Sequence, residues 1–230
     1  MEKLSIIIPA FNERDNILEL LKKVEAVDLG DIEKEIIIVD DFSTDGTRDI
    51  IKALEKKYKV ICQDKNYGKG FALRTGFKHA TGDYIIIQDA DLEYDPADYK
   101  VMIQAVEKEK ARVVYGSRRL KKDNQKYSGL SFYLGGIMVT FITNILYGTK
   151  ITDEPTCYKM FRKDILDNID LKCMRFEFCP EITAKIAKMG EKIIEVPIRY
   201  YPRHVNEGKK MCWMDGLEAV KILMQLKFRK

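Results

Sequence analysis

Short β-branched runs alternate with longer amphipathic stretches along the first half of the chain, the pattern of a mainly parallel sheet flanked by helices. Strands are predicted at Leu4–Ile8, Glu35–Asp40, Lys59–Gln63, Asp83–Gln88 and Arg112–Gly116. The second, fourth and fifth are nearly continuous apolar runs, as expected of parallel strands buried on both faces. After the second strand, Ser43-Thr44-Asp45-Gly46 offers an N-cap, and Ile50, Ile51 and Leu54 then recur at helical spacing. Asp40 and Asp41 therefore fall at a strand's carboxyl edge, where loops and helix N-termini converge on ligands in open α/β sheets.

The pattern changes after Gly116. A polar, basic stretch from Ser117 to Lys126 leads into Ser128–Tyr147, a long segment without a charged side chain. Its length approaches that of a bilayer span, but Gly129, Gly135, Gly136, Asn144 and several Ser and Thr weigh against one, and an amphipathic or partly buried helix is predicted. Further on, Thr156–Arg162 predicts a strand, Pro180–Lys188 a helix, and Lys192–Tyr200 a strand with Pro197 at an edge or bulge. From about Trp213 a last helix carries Leu217, Val220, Ile222, Leu223 and Leu226 among Lys221, Lys227, Arg229 and Lys230, a basic amphipathic element.

Composition refines this picture modestly. A chain of 230 residues with 46% apolar content buries one principal core, so a single α/β domain over 1–230 is expected. The formal charge of +4 is a small excess among many charges of both signs and gives no reason to expect a nucleic-acid partner. Cys62, Cys157, Cys173, Cys179 and Cys212 lack the spacing of a zinc site or a disulfide framework and point to a reducing cytoplasm. The apolar run Leu4–Ile8 is too short for a signal peptide and reads as a strand.

The strongest local signal is Tyr84-Ile85-Ile86-Ile87-Gln88-Asp89-Ala90-Asp91, a hydrophobic strand that delivers two carboxylates separated by one small residue. Alternation lets Asp89 and Asp91 face one site while Ala90 leaves room for a ligand. Carboxylates there need a partner, and Mg2+ or Mn2+ takes hard oxygens while keeping substrate phosphates in its shell. Glu93 is a candidate third oxygen. Alone, a D-x-D serves equally well as a cap on the turn before a helix near Pro96.

Two further strand ends carry polar clusters, Pro9-Ala10-Phe11-Asn12-Glu13 and Val39-Asp40-Asp41-Phe42-Ser43-Thr44-Asp45-Gly46-Thr47. With Asp89-Ala90-Asp91, these segments resemble the donor-binding motifs of glycosyltransferase family 2, which has the GT-A fold. Within it, Asn66-Tyr67-Gly68-Lys69-Gly70, Asp89-Ala90-Asp91-Leu92 and Gly116-Ser117-Arg118 look most like the dolichyl-phosphate mannose synthase and polyprenyl-phosphate glycosyltransferase branch. The resemblance implies a donor half over 1–116 and an acceptor half over 117–230 with interface helices. It implies that Pro9, Ala10, Phe11, Glu13 and Asp41, with Asp40 beside them, line the nucleoside pocket, Phe11 standing where a tyrosine is more usual. Asp89 and Asp91 would hold metal and diphosphate, with Lys69 and Arg118 near the phosphates.

The segment Thr152-Asp153-Glu154-Pro155 sits where related enzymes carry acidic acceptor-site residues, so Asp153 is the first candidate base and Glu154 the second. Asp91, Asp153 and Arg118 are thus the residues expected to carry catalysis. The loop Tyr201–Lys210 resembles one that closes over the donor, with Arg203 and Lys209 as phosphate contacts; His204 reads as loop structure and Trp213 as a packing anchor. The implied reaction is inverting, metal-dependent transfer from a GDP- or UDP-hexose to a polyprenyl phosphate, with peripheral association at the cytoplasmic face of a membrane. A hydroxyl acceptor with Asp153 as base, and a noncatalytic nucleotide-sugar-binding protein, stay open as alternatives.

Overall fold

The fold was taken from a computed structural model, which describes residues 1–124, 129–203 and 213–228, with only the backbone of Leu130, Trp213 and Met214. Lys209 and His204, the tip of the expected closing loop, and Lys126 and Ser128 lie outside the described residues, as does the Trp213 side chain.

The elements in chain order are β1 (Lys3–Ala10), α1 (Ile17–Ala26), β2 (Glu33–Asp40), α2 (Thr47–Lys52), β3 (Lys59–Cys62), α3 (Lys69–His79) and β4 (Tyr84–Ile87). A single 3-10 turn then leads into α4 (Tyr99–Glu109), β5 (Val113–Ser117), α5 (Leu130–Tyr147), β6 (Lys159–Arg162), α6 (Lys163–Asp167), α7 (Phe178–Lys188), β7 (Ile193–Pro197) and α8 (Trp213–Phe228). The strands form one seven-stranded sheet in the order β3-β2-β1-β4-β6-β5-β7. β3, β2, β1 and β4 run parallel, as do β5 and β7, whereas β6 is antiparallel to both β4 and β5. This is the expected mostly parallel α/β sheet of the GT-A class.

Alternation along each strand sorts the core into two layers. Ile6 and Ile8 pack with Leu20 of α1 and Met102 of α4 on one face. Ile7 and Val39 pack with Leu73 and Phe77 of α3 and Ile182 of α7 on the other. Each fully buried Ile or Leu contributes roughly 1.5–3 kcal/mol. Helices on both faces explain why all four residues of β4 are buried and apolar.

Two predicted strand ends move by three residues, for local reasons. The strand expected at Thr156–Arg162 begins only at Lys159. The Thr156 carbonyl accepts from Lys159 Nζ at 2.9 Å and the Cys157 amide donates to Tyr94 OH at 3.2 Å, so neither joins the ladder. β7 stops at Pro197 rather than reaching Tyr200, which makes only an isolated bridge with Tyr94. The N-cap expected near Ser43–Gly46 is Gly46 itself, which turns the chain at φ +99° and has no side chain to cap with, while Asp45 before it accepts from the Thr47 amide through Oδ1 at 2.9 Å.

α5, α7 and α8 pack around a third small core of Val139, Ala184, Ala219 and Leu223. α5 is buried along one stripe, as predicted, but its outer face is apolar as well: Leu134, Phe141 and Ile145 are exposed, as are Leu217 and Phe228 on α8. No helix among the described residues is long and apolar enough to cross a membrane.

Candidate active site

The carboxyl ends of β1, β2 and β4 lie side by side, and their loops are stitched together by short polar side chains. Asn12 holds a left-handed backbone (φ +51°); its amide donates to Ser43 Oγ at 3.0 Å and its side-chain oxygen accepts from the Thr44 amide at 2.8 Å. The Glu13 amide donates to Thr47 Oγ1 at 2.9 Å. Phe42 and Leu92 are also left-handed, at φ +66° and +62°, a strain that bulky residues adopt only where surrounding structure enforces it.

Around these ends opens a cleft of about 630 Å3. Of the residues expected at the donor site, Pro9, Ala10, Phe11, Glu13, Asp41, Lys69, Asp89, Ala90, Asp91, Glu93, Arg118 and Arg203 all line it. Asp41 is 3% exposed and accepts from the Tyr67 and Gly68 amides at 2.8 and 2.7 Å; burial raises its carboxyl above the ordinary value despite those bonds. Gly68 is required there, since its φ is +97° and a Cβ would meet the Met174 carbonyl at 2.5 Å.

Asp40 belongs elsewhere. It is fully buried off the cleft wall, ion-paired to Arg48 at 2.6 Å and bonded to the Ser43 amide at 3.2 Å, so it shapes the β2 loop and does not line the pocket as expected.

Asp89 and Asp91 stand just past the end of β4. Gln88 anchors them from inside the core: its Oε1 accepts from Tyr99 OH at 2.7 Å and Tyr158 OH at 2.5 Å, and its Nε2 donates to the Asp89 carbonyl at 3.0 Å. Each carboxylate faces a cation, Lys69 Nζ at 2.5 Å from Asp89 Oδ1 and Arg203 Nη2 at 3.3 Å from Asp91 Oδ2. Burial, then the charges of Asp89 and Glu93, push the Asp91 carboxyl up to about 7. For Lys69, burial opposes the charge, but Asp89 outweighs it and holds the ammonium well above its usual range.

The donor set fits a divalent cation. Two hard carboxylates share a crowded negative site that Lys69 and Arg203 now neutralise, and a diphosphate would supply the further oxygens that Mg2+ or Mn2+ prefers. Glu93 does not complete such a set. Its carboxylate accepts from Tyr200 OH at 3.0 Å and the Arg203 amide at 2.8 Å, and among the described residues no three His, Cys, Asp or Glu side chains converge on one point. It fastens the segment after β7 to the loop after β4, which brings Arg203 to Glu13 and Asp91.

Asp153 also differs from expectation. It is fully buried, absent from the cleft wall, and bound by both oxygens to Arg118, whose Nε and Nη2 donate at 2.7 Å each. Burial opposes its charge, but Arg118 overrides that and keeps the carboxyl below the ordinary value. An anion sealed behind its own arginine has no path to an acceptor proton, so the geometry gives it a positioning place rather than the position of a base. Arg118 does line the cleft, its guanidinium over the Tyr200 ring at 5.0 Å.

Several wall residues carried no signal in the sequence. Arg175 comes from the segment before α7, Cys179 from its first turn and Tyr200 from the segment after β7, and α5 and α8 contribute Met138 and Leu217. Cys157 accepts from Lys69 Nζ at 3.1 Å. Glu154, the second acidic candidate, is on the wall and fully buried.

A mostly parallel sheet with two carboxylates and matching cations past its strand ends, over a cleft, is the layout of an open α/β protein whose site lies at the carboxyl edge of the strands. The chain belongs to glycosyl transferase family 2, whose family model matches residues 5–170. It is 33% identical to a dolichol-phosphate mannosyltransferase of Pyrococcus furiosus over 90% of this chain and 59% of that protein. It is 26% identical to the low-salt glycan biosynthesis hexosyltransferase Agl6 of Haloferax volcanii over 96% of this chain and 53% of that one. The chain thus spans little more than half the length of these two relatives. An uncharacterized protein of Methanocaldococcus jannaschii is 31% identical over 97% of this chain and 92% of its own.

Among solved structures, glucosyl-3-phosphoglycerate synthase from Mycobacterium tuberculosis, in complex with Mn2+, UDP-glucose and phosphoglyceric acid, shares the fold. The TM-score is 0.73 at 16% identity, over 98% of this chain and 80% of that one. The same enzyme with Mg2+ and UDP gives a TM-score of 0.67, also at 16% identity, over 98% and 79% of the two chains.

Proposed function

We propose that the protein is an inverting, metal-dependent glycosyltransferase that moves a hexose from a UDP- or GDP-hexose to a polyprenyl phosphate such as dolichyl or undecaprenyl phosphate. The observation that carries this reading is the Asp89 and Asp91 pair with Lys69 and Arg203 against it, an arrangement suited to a diphosphate and its cation. The Pyrococcus relative's name supports the lipid-phosphate acceptor, and the Mn2+ and Mg2+ complexes of the mycobacterial enzyme support the choice of metal.

Asp89 and Asp91 would hold the metal, which when bound supplies positive charge beside the departing diphosphate. Lys69 and Arg203 offset the remaining charge on that leaving group. Pro9, Ala10, Phe11, Glu13 and Asp41 receive the nucleoside, Phe11 through its ring. Arg118, held in its fork by Asp153, presents a guanidinium face to the acceptor phosphate, with Arg119 and Arg175 on the same wall. A phosphate acceptor is already an anion and needs orientation more than deprotonation, which agrees with a sealed Asp153. Met138 and Leu217 beside the cleft suit an isoprenoid chain, and the exposed apolar faces of α5 and α8 suit reversible seating on a membrane surface.

The test is a matrix of UDP- and GDP-hexoses against dolichyl and undecaprenyl phosphate and soluble glycans, with Mg2+, Mn2+ or chelator. Labelled lipid that disappears with chelator is expected. Labelling of soluble hydroxyl acceptors but of no lipid phosphate would sink the acceptor assignment, and metal-dependent donor binding without transfer or hydrolysis would leave a noncatalytic binding protein.

A further inference from the structure

Glu154 lines the cleft, yet none of its surface is exposed. Its backbone is clamped on two sides: the amide donates to Thr140 Oγ1 of α5 at 3.0 Å and the carbonyl accepts from Lys159 Nζ at 2.6 Å. Oε1 accepts from Thr183 Oγ1 of α7 at 3.1 Å. Oε2 is buried and has no hydrogen-bond partner among the described residues. A carboxylate oxygen removed from water without a donor is costly, and such an atom on a residue that lines a cleft marks a place where a ligand could complete the bonding.

The chemistry of that ligand follows from the surroundings. Burial pushes the Glu154 carboxyl up to about 7, with Cys179 and Asp153 raising it and Lys159 and Thr183 opposing. Near neutrality both protonation states are present. A neutral hydroxyl matches either one, donating to the carboxylate or accepting from the acid. A phosphate oxygen is repelled by the charged form, and phosphates have Lys69, Arg118 and Arg203 elsewhere on the wall.

We propose that Glu154 is a sugar-recognition residue whose second carboxyl oxygen hydrogen-bonds one hydroxyl of the transferred hexose, so that it sets which hexose the cleft accepts. This rests on the glycosyltransferase reading above and adds a ligand to its donor site that neither the metal pair nor the phosphate-facing cations provide.

The experiment compares wild type, Glu154→Gln and Glu154→Ala on the donor hexose and on its analogues deoxygenated at one hydroxyl at a time. kcat/KM is measured for each, and calorimetry gives the affinity for the nucleotide-hexose and for the bare nucleoside diphosphate. Glu154→Gln is nearly isosteric and retains an oxygen for Thr183, so it controls for folding. With the parent hexose, the alanine variant is expected to lose roughly ten- to hundredfold in kcat/KM while nucleoside diphosphate affinity stays within about twofold. With one particular deoxy donor, wild type and variant converge. An equal penalty across all deoxy donors, or a parallel loss of nucleoside diphosphate binding, overturns the assignment. A wild type that binds nucleotide-hexose without turnover defeats the transferase reading alone, and the calorimetric series then judges Glu154 by itself.

Discussion

Arg118 and Asp153 form a closed unit: both carboxylate oxygens accept from the guanidinium at 2.7 Å, and the Arg118 amide adds a third bond to Oδ2 at 2.9 Å. The carboxylate is wholly buried, while the arginine keeps one edge on the cleft. Removing one partner of such a pair leaves an uncompensated buried charge, a loss of roughly 3–5 kcal/mol. Asp153→Asn is therefore expected to lower the urea midpoint of unfolding markedly and to weaken acceptor binding through a loosened Arg118. Unchanged stability with abolished transfer would restore Asp153 as a base.

Asp91 gives a pH dependence with a definite sign. Its carboxyl lies near 7 in the folded protein against 3.8 ordinarily, so the folded state binds the proton more tightly than the unfolded one. Without metal, stability from this group is greatest at low pH and is lost as pH rises from about 4 through 7, by about 2–4 kcal/mol at most. Asp91→Asn removes that slope. In chelator at pH 8 the variant should melt higher than wild type, although it no longer supports metal-dependent donor binding. Equal melting temperatures across the range would contradict this.

Gly76 lies where α3 meets the sheet, and a Cβ there would fall 2.3 Å from Ile7 Cγ2 and 3.4 Å from Val39 Cγ2. Both neighbours are buried core side chains on central strands and have little room to yield. Gly76→Ala is expected to destabilise by roughly 1–3 kcal/mol in spite of alanine's better helix propensity. Gly135, with no atom within 4 Å of the same position on α5, is the control: Gly135→Ala should leave stability unchanged or raise it.

Cys179 differs from the other thiols among the described residues. A hydrogen bond from Cys157 lowers it below the ordinary thiol range, Lys159 and Lys69 adding to the effect against burial, whereas burial drives Cys173 well above that range and out of reach of mild alkylation. Among the described cysteines, iodoacetamide at pH 7 should label Cys179 first, and a nucleoside diphosphate with Mg2+ or Mn2+ should slow that reaction several-fold by occupying the shared cleft. Peptide mapping by mass spectrometry reads both, and preferential labelling of Cys173 would refute the assignment.

The sequence by itself determined the sheet and one side of the site. β1, β2 and β4 are short continuous apolar runs ending in polar clusters, and a strand's period of two makes both its burial and the direction of its end residues local properties. Asp89, Asp91 and Asp41 were legible at those ends for that reason, whereas Lys69, at the start of α3, was legible only through the resemblance of its Gly-Lys-Gly segment to a family motif.

Tertiary structure decided how side chains at similar strand ends divide their work. Asp40 and Asp41 are adjacent in sequence, yet Arg48 encloses one while the Tyr67 and Gly68 amides hold the other at the cleft. Asp153 and Glu154 divide likewise, one taken by Arg118 and the other left in the wall with an unpaired oxygen. Neither outcome is a property of the dipeptide. The electrostatics of a buried carboxylate are set by whichever cation or amide the fold brings within about 3 Å, and those partners come from 8 to 35 residues away in the chain.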